Sequence, residues 1–334
     1  MLTREFYSII ATEETAVRFL QQHGLLQSED ETDPCLRCGS VMVQKRKRDR
    51  NGEFRPVFRC PRKGCQTTRS VRSGNRFFHY TDLNNKLHCN LSLCAILEIV
   101  YYFLMDTTIE VASAHTGRST HTLVDWYTMC REVCSSVISV RSRGRLHGTI
   151  NDPVQIDESR FAGRRKYNRG RLLNGDQAAE SDDSDADVEN NRNHGRRIDG
   201  PWVFGLATKA EVRYFVVQRR DQATLLAIIQ REVEMGSVIH SDEWPAYRQL
   251  QALGYQHSTV NHQQNYIDPD SGANTQLVER RWLDAKVHIM KKMRSVPLNQ
   301  LQGHLDYMAY KILRKTSEDK FITFLQDLRN VYVD

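Results

Sequence analysis

Hydrophobic positions recur along the chain in two rhythms, and the change of rhythm marks its organisation. Residues 92–105, SLCAILEIVYYFLM, are almost continuously apolar and are interrupted by Glu98. The run is too short to cross a bilayer and predicts a buried helix. Thr107-Thr108-Ile109-Glu110 then has the form of a capping box and opens a short helix to His115. Gly117 supplies a turn, and Ser119 opens a second helix with Leu123, Trp126, Tyr127, Cys130 and Cys134 as its apolar stripe. Helix, glycine turn, helix is a helix-turn-helix-like layout, with Arg118, His121 and Thr122 on its open face. The same spacing also suits a plain packing pair.

From residue 150 the period shortens to two. Residues 154–161 alternate, with Val154 and Ile156 on one face and Asp157 on the other. Residues 201–208 and 213–218 predict two more strands, and residues 224–233 an amphipathic helix capped near Asp221. Residues 237–242 predict a fourth strand ending at Asp242, residues 245–253 a helix, and residues 256–262 a fifth strand. A long helix is expected over residues 274–293, with Val278, Trp282, Ala285, Ile289 and Met293 as its core stripe and Glu279 at the edge. Three strands in succession, then helix, strand, helix, strand and helix, is the order of a ribonuclease-H-like α/β fold.

Composition sharpens this picture. The chain has 334 residues, 40% hydrophobic and 26% charged, which excludes a wholly disordered or fibrous protein and fits about two domains. The net charge of +6 hides an asymmetry. Residues 35–76 hold thirteen Lys or Arg against two acids, whereas residues 176–199 hold eight acids against three arginines. The segment AESDDSDADVENN cannot build a core, so residues 174–199 are expected to form a flexible acidic insertion. The N-terminus lacks the apolar run of a secretory signal, so the cysteines are expected in a reducing compartment, where paired spacings point to metal.

Cys35-Leu-Arg-Cys38 and Cys60-Pro-Arg-Lys-Gly-Cys65 are two such pairs, 21 residues apart. Four thiolates suit a closed tetrahedral structural Zn²⁺ site, and Asn51-Gly52 between them signals a hairpin. Together they predict a zinc ribbon. Lys45, Arg46, Lys47 and Arg48 are expected at the hairpin tip, facing nucleic-acid phosphates, and also read as a nuclear import signal. Cys89, Cys94, Cys130 and Cys134 sit in apolar helical contexts and are expected to be small core residues.

Three acids fall where a ribonuclease-H-like fold places ligands: Asp157 in the first strand, Asp242 at the end of the fourth, and Glu279 on the late helix. Carboxylates suit Mg²⁺, and paired ions suit phosphoryl transfer. Glu158 and Glu243 alternate away from these positions and are expected to be supporting or exposed, while Trp244 and Trp282 are expected in the core. Arg160, Arg164, Arg165, Lys166 and Arg169 after the first strand, and Lys286 on the late helix, are candidate phosphate contacts. Asn261 and His262 end the fifth strand and are auxiliary candidates.

The segments IDESRFAGRRKYNRGR (156–171), WVFG (202–205), SDEWPAY (241–247), TVNH (259–262) and DPDSGANTQLVERRWLDAK (268–286) give the chain a family likeness. It resembles the Merlin superfamily of DNA transposases and the related bacterial insertion-sequence transposases with an ISXO2-like domain. The resemblance implies a DDE triad of Asp157, Asp242 and Glu279, with 36 residues between the last two. It further implies two Mg²⁺ or Mn²⁺ ions, cleavage and strand transfer of double-stranded DNA at terminal inverted repeats and target sites, self-association, and a nuclear location. The expected organisation is a helical lead (1–34), a zinc ribbon (35–76), a helix-turn-helix-like region (77–148) and a catalytic domain (149–334). No membrane partner is expected. The alternative is a domesticated DNA-binding or chromatin factor that keeps the fold without cutting.

Overall fold

Residues 1–48, 52, 54–79, 91–161, 177–178, 198–261, 266–293 and 296–333 are described by a computed structural model of the chain. They fall into two compact units, Met1–Val133 with Thr316–Asp334, and Cys134–Lys315.

The first unit opens with α1 (Thr3–Ile9) and α2 (Glu13–Gln22), the latter capped by Thr12, whose hydroxyl accepts from the Thr15 amide at 3.2 Å. A three-stranded antiparallel sheet follows, β1 (Val43–Arg48), β2 (Phe54–Arg59) and β3 (Thr68–Ser70), in the order β1-β2-β3. Then come α3 (Leu93–Leu104), α4 (Ile109–Thr116) and α5 (Thr120–Arg141), whose residues from Cys134 onward are counted with the second unit. The start of α3 is fixed twice. Ser92 caps it, and the Glu13 carboxylate accepts from the Leu93 amide at 2.9 Å while pairing with Arg72 at 3.0 Å. The cap of α4 is Thr108, one residue later than the capping-box spacing predicts, and Gly117 takes a left-handed conformation (φ 66°) to end that helix. Among the described residues no helix is long and apolar enough to cross a membrane.

The second unit is a mixed α/β structure. Its strands are β4 (Val154–Arg160), β7 (Trp202–Ala207), β8 (Val212–Val217), β9 (Val238–Asp242) and β10 (Gln256–Val260). A short pair, β5 (Gln177–Ala178) and β6 (Ile198–Asp199), forms its own two-stranded sheet. The rest of the expected acidic insertion lies outside the described residues. The main sheet has the order β10-β9-β4-β7-β8; β7 runs antiparallel to β4 and β8, and β9 runs parallel to β4 and β10.

Period-two burial explains the two covered faces. On one, Val154 and Ile156 join Phe204, Leu206 and the apolar side of α6 (Gln222–Glu232). On the other, Val203 and Tyr214 pack with Val278, Trp282, Leu305 and Met308 from α7 (Gln276–Lys286) and α8 (Leu298–Leu313).

Two expectations are corrected. The helix expected over 245–253 is a 3₁₀ turn, Pro245–Tyr247, followed by further turns. Its bonds run i to i+3, as in Tyr247 amide to Trp244 carbonyl and Leu250 amide to Tyr247 carbonyl (3.1 and 3.0 Å). These turns put Tyr247 and Leu250 into the same core. The long final helix is α7 passing into one π-helical turn, Val287–Lys292. The last helix, α9 (Lys320–Tyr332), groups with the first unit. Phe321 packs edge-on against Phe6 at 5.3 Å, and Asp319 caps α9 while pairing with the Met1 amino group at 2.7 Å.

Candidate catalytic centre

Asp157 lies mid-strand on β4, opposite Gly205 of β7. Its Oδ2 accepts from the indole Nε1 of Trp282 on α7 at 3.0 Å. This contact needs Gly205, because a Cβ there would meet the Trp282 ring at 2.6 Å. Two residues upstream on the same face, Gln155 accepts from the Leu277 and Val278 amides at 2.8 and 3.2 Å. Thr275, at the N-cap of α7, makes no side-chain cap, so a strand residue satisfies amides that the helix leaves open. Thus Gln155 and Asp157 together hold α7 against β4.

Asp242 ends β9, and its Oδ1 accepts from the Trp244 amide at 3.0 Å, closing a side-chain turn. The Asp242 charge is felt at Asp157. Burial, then the charges of Glu158 and Asp242, push the Asp157 carboxyl up to about 8. Glu158 is raised to about 7, first by burial and also by the charge of Asp242, against the opposing effects of Tyr247 and Arg220.

Of the two alternatives expected for Glu158, supporting or exposed, it is not the exposed one. It points to the face opposite Asp157, as alternation requires, but that face is covered, and Glu158 accepts the Tyr247 hydroxyl there. Glu243 is exposed.

Glu279 sits in the first turn of α7 with an exposed side chain and accepts from the Thr275 hydroxyl at 2.8 Å. It precedes Trp282 by three residues, which places the two on one helix face roughly 5–6 Å apart at Cβ. The structure thus joins Asp157 electrostatically to Asp242 and joins the helix of Glu279 to Asp157 through Trp282. Among the described residues, carboxylates 157, 242 and 279 do not form a group of ligand atoms as compact as the cysteine quartet described below.

Positive charge and aromatic rings lie close by. The Arg220 guanidinium stacks 4.4 Å from both the Trp202 and Trp244 rings, and Arg160 lies 4.9 Å from Trp202. Lys286 stands 5.8 Å from the Phe161 ring. Asn261 follows β10 and is half-buried. His262, Arg164, Arg165, Lys166 and Arg169 lie outside the described residues, as does Cys89.

Sequence reasoning missed Gln155, Gly205, Arg220 and the polar role of Trp282. A glutamine in an otherwise apolar strand, and a glycine in WVFG, were the available signals.

In the first unit, Cys35, Cys38, Cys60 and Cys65 bring four Sγ atoms within 4.8 Å of one another. Cys35 and Cys65 are 3.6 Å apart and Cys38 and Cys60 3.4 Å apart. Four sulfurs each ~2.3 Å from one zinc would stand about 3.8 Å apart, so the quartet is compatible with a tetrahedral zinc site. Its turns are set by sequence. Gly39 and Gly64 adopt φ of 71° and 83°, and the Gly39 amide bonds to the Cys35 carbonyl at 2.7 Å. The hydroxyls of Ser40 and Thr67 lie 3.5 and 3.2 Å from the sulfurs of Cys38 and Cys65 and lower both thiols, Cys38 to about 6.

Lys45, Arg46, Lys47 and Arg48 are exposed along β1 rather than at the hairpin tip, because β1 and β2 remain paired as far as Arg48 and Phe54. Arg46 pairs with Glu14 at 3.1 Å. Cys130 and Cys134 are buried and Cys94 half-buried.

Two solved structures are similar to the chain over 67% of its length. They are the crystal structure of a pre-cleavage Mos1 transpososome (10% identity, 79% of that chain, TM-score 0.21) and that of the Mos1 strand transfer complex (12% identity, 78% of that chain, TM-score 0.20). A likeness this shallow carries no argument about activity. No curated protein matches the chain. Residues 149–312 match the ISXO2-like transposase domain, which covers β4 through α8. That match, over just under half of the chain, supports a DDE-type transposase domain.

Proposed function

We propose that the protein is a DNA transposase of the Merlin type, or a descendant of one, whose second unit is a ribonuclease-H-like catalytic domain. The carrying observation is that Asp157 and Asp242 stand on adjacent parallel strands, near enough for the Asp242 charge to add to burial and the Glu158 charge in raising the Asp157 carboxyl. Oxygen donors packed at that cost favour a hard divalent cation. The sheet order, with parallel pairing on one side of β4 and antiparallel pairing on the other, supports the fold assignment.

Asp157 and Asp242 would hold a shared Mg²⁺ or Mn²⁺, and Glu279 would complete a second site. Bound there, such ions supply the charge that activates an attacking oxygen and stabilises a leaving one. The chain's own groups do the rest. The Trp282 N–H fixes one oxygen of Asp157. Gln155 holds α7 so that Glu279 stays on the side of Asp157. Arg160, Arg164, Arg165, Lys166, Arg169 and Lys286 would bind and align DNA phosphates, with Asn261 and His262 beside them. The cysteine quartet would take a structural Zn²⁺ and stiffen the sheet that displays Lys45, Arg46, Lys47 and Arg48 to DNA or to the nuclear import machinery. The protein would act in the nucleus, as a self-associated assembly on paired DNA ends, hydrolysing one strand and joining the freed 3′-hydroxyl to a target.

The test is strand cleavage and transfer on DNA that carries the sequences flanking the coding region. Asp157→Ala, Asp242→Ala and Glu279→Ala each abolish transfer while DNA binding persists. Transfer retained in any of the three, or absent from the wild-type protein while binding persists, defeats the assignment, and the latter outcome favours a non-cutting DNA-binding factor.

A further inference from the structure

The main sheet parts at the two aspartates. The β4–β9 ladder pairs Val154 with Ile239 and Gln155 with His240, and ends there. Continued for two residues, it would set Asp157 against Asp242. The ladders on either side hold: β9 stays paired with β10 as far as Asp242, and β4 with β7 through Asp157 to Arg160. Backbone hydrogen bonds therefore do not fix the width of the gap across which the two aspartates face each other, and their charges favour widening it.

Beyond the last ladder pair a side-chain bond crosses the gap. The Tyr247 hydroxyl, on the turn that follows Asp242, donates to the Glu158 carboxylate on β4. Both ends of this bond are held. Tyr247 is 1% exposed and stacks on Phe204, while Glu158 is locked into β4 by its register with Phe204 on β7. The turn is tied back to the ligand as well, because the Trp244 amide bonds to Asp242 Oδ1.

We propose that the Tyr247–Glu158 bond is a latch that sets the spacing of Asp157 and Asp242 and, resting on the function proposed above, their affinity for a divalent cation. Tyr247 and Glu158 are positioning residues here. They act through the two strands and need not touch the ion or the DNA.

The experiment is calorimetric titration of the full chain with Mn²⁺, together with hydrogen exchange of the Mn²⁺-free protein. Tyr247→Phe removes the hydroxyl and keeps the ring. Glu158→Ala removes the acceptor, and Glu158→Gln keeps an acceptor oxygen without the charge. Tyr247→Phe and Glu158→Ala should raise the Mn²⁺ Kd about tenfold, the lower end of what such supporting contacts contribute. Glu158→Gln should keep the wild-type Kd. Amides of residues 156–160 and 241–247 should exchange faster in Tyr247→Phe, with the rest of the unit unchanged.

An unchanged Kd in Tyr247→Phe overturns the latch. So does a Glu158→Gln variant as weak as Glu158→Ala, which would mean that Glu158 acts through its charge. If Mn²⁺ binding survives Asp157→Ala, the proposed catalytic reading fails instead. The exchange measurement then decides the latch by itself: faster exchange in Tyr247→Phe supports it, and unchanged exchange overturns it.

Discussion

Gly205 leaves the space that the Trp282 indole fills: a methyl group at position 205 would come within 2.6 Å of the ring. The two residues meet where β7 passes beside Asp157, and that packing lets the indole N–H reach the Asp157 carboxylate.

Gly205→Ala should therefore damage the site out of proportion to its size. Overpacking against a buried ring costs about 1–3 kcal/mol, and here the ring cannot move without dropping its bond to Asp157. We expect a lowered Tm and loss of strand transfer. Trp282→Phe, which keeps the packing and loses the N–H, should lose transfer with a much smaller fall in Tm. Thermal unfolding and transfer assays on both variants check this, and a Gly205→Ala protein with normal Tm and activity would contradict the packing argument.

The Asp157 carboxyl makes stability depend on pH. Its folded value of about 8 lies above the ordinary 3.8, so the folded state binds the proton more tightly than the unfolded chain. The stability this contributes is fully present below pH 3.8 and is lost as the pH rises toward about 8, in the same direction as for Glu158, which is raised to about 7. Metal-free protein should thus be less stable at pH 8 than at pH 6. Asp157→Asn should flatten this slope and stabilise the metal-free protein at pH 8 by on the order of 2 kcal/mol. Urea melts at the two pH values measure it, and a wild-type protein more stable at pH 8 would refute the burial of this charge.

A buried ionic cluster lies behind the sheet. Arg213 pairs with Glu211 at 2.8 Å and with Glu232 at 2.6 Å, and all three residues are 5% exposed or less. Arg141 and Arg231 reach the same two acids from positions more open to solvent, each at under 3 Å. Arg213→Met would leave two buried carboxylates short of their central partner, at a cost of about 3–5 kcal/mol. Arg231→Met, at the more exposed end, should cost under about 1 kcal/mol. Equal losses in denaturant unfolding would contradict this difference.

The cysteine quartet should bind one zinc per chain. Chelation, or Cys60→Ser, should melt the small sheet of β1, β2 and β3 and weaken DNA binding, because a module of this size draws folding free energy from its metal. Metal analysis and amide NMR of the intact protein test this. A ribbon that stays folded without metal would contradict it.

Much of this architecture was legible in the chain. Strands β4, β7, β8 and β9 were legible as short, mostly apolar runs because both faces of their sheet are covered. The cysteine pairs carry their own glycine turns and so announced the ribbon's knuckles. What the sequence hid was tertiary. Gln155 caps a helix more than 120 positions away, and local capping rules cannot see that. Glu158 looked like a solvent-side residue because alternation tells which face a side chain takes, not whether that face is covered. The placement of α9 depended on aromatic packing with Phe6 at the far end of the chain.

The most direct test of the central claim is anomalous diffraction from crystals of the full chain soaked in Mn²⁺. We predict a peak between Asp157 and Asp242, with carboxylate oxygens of both residues at roughly 2.0–2.3 Å and Glu279 turned toward it. Strong Mn²⁺ density elsewhere, with none at Asp157 and Asp242, would contradict the account.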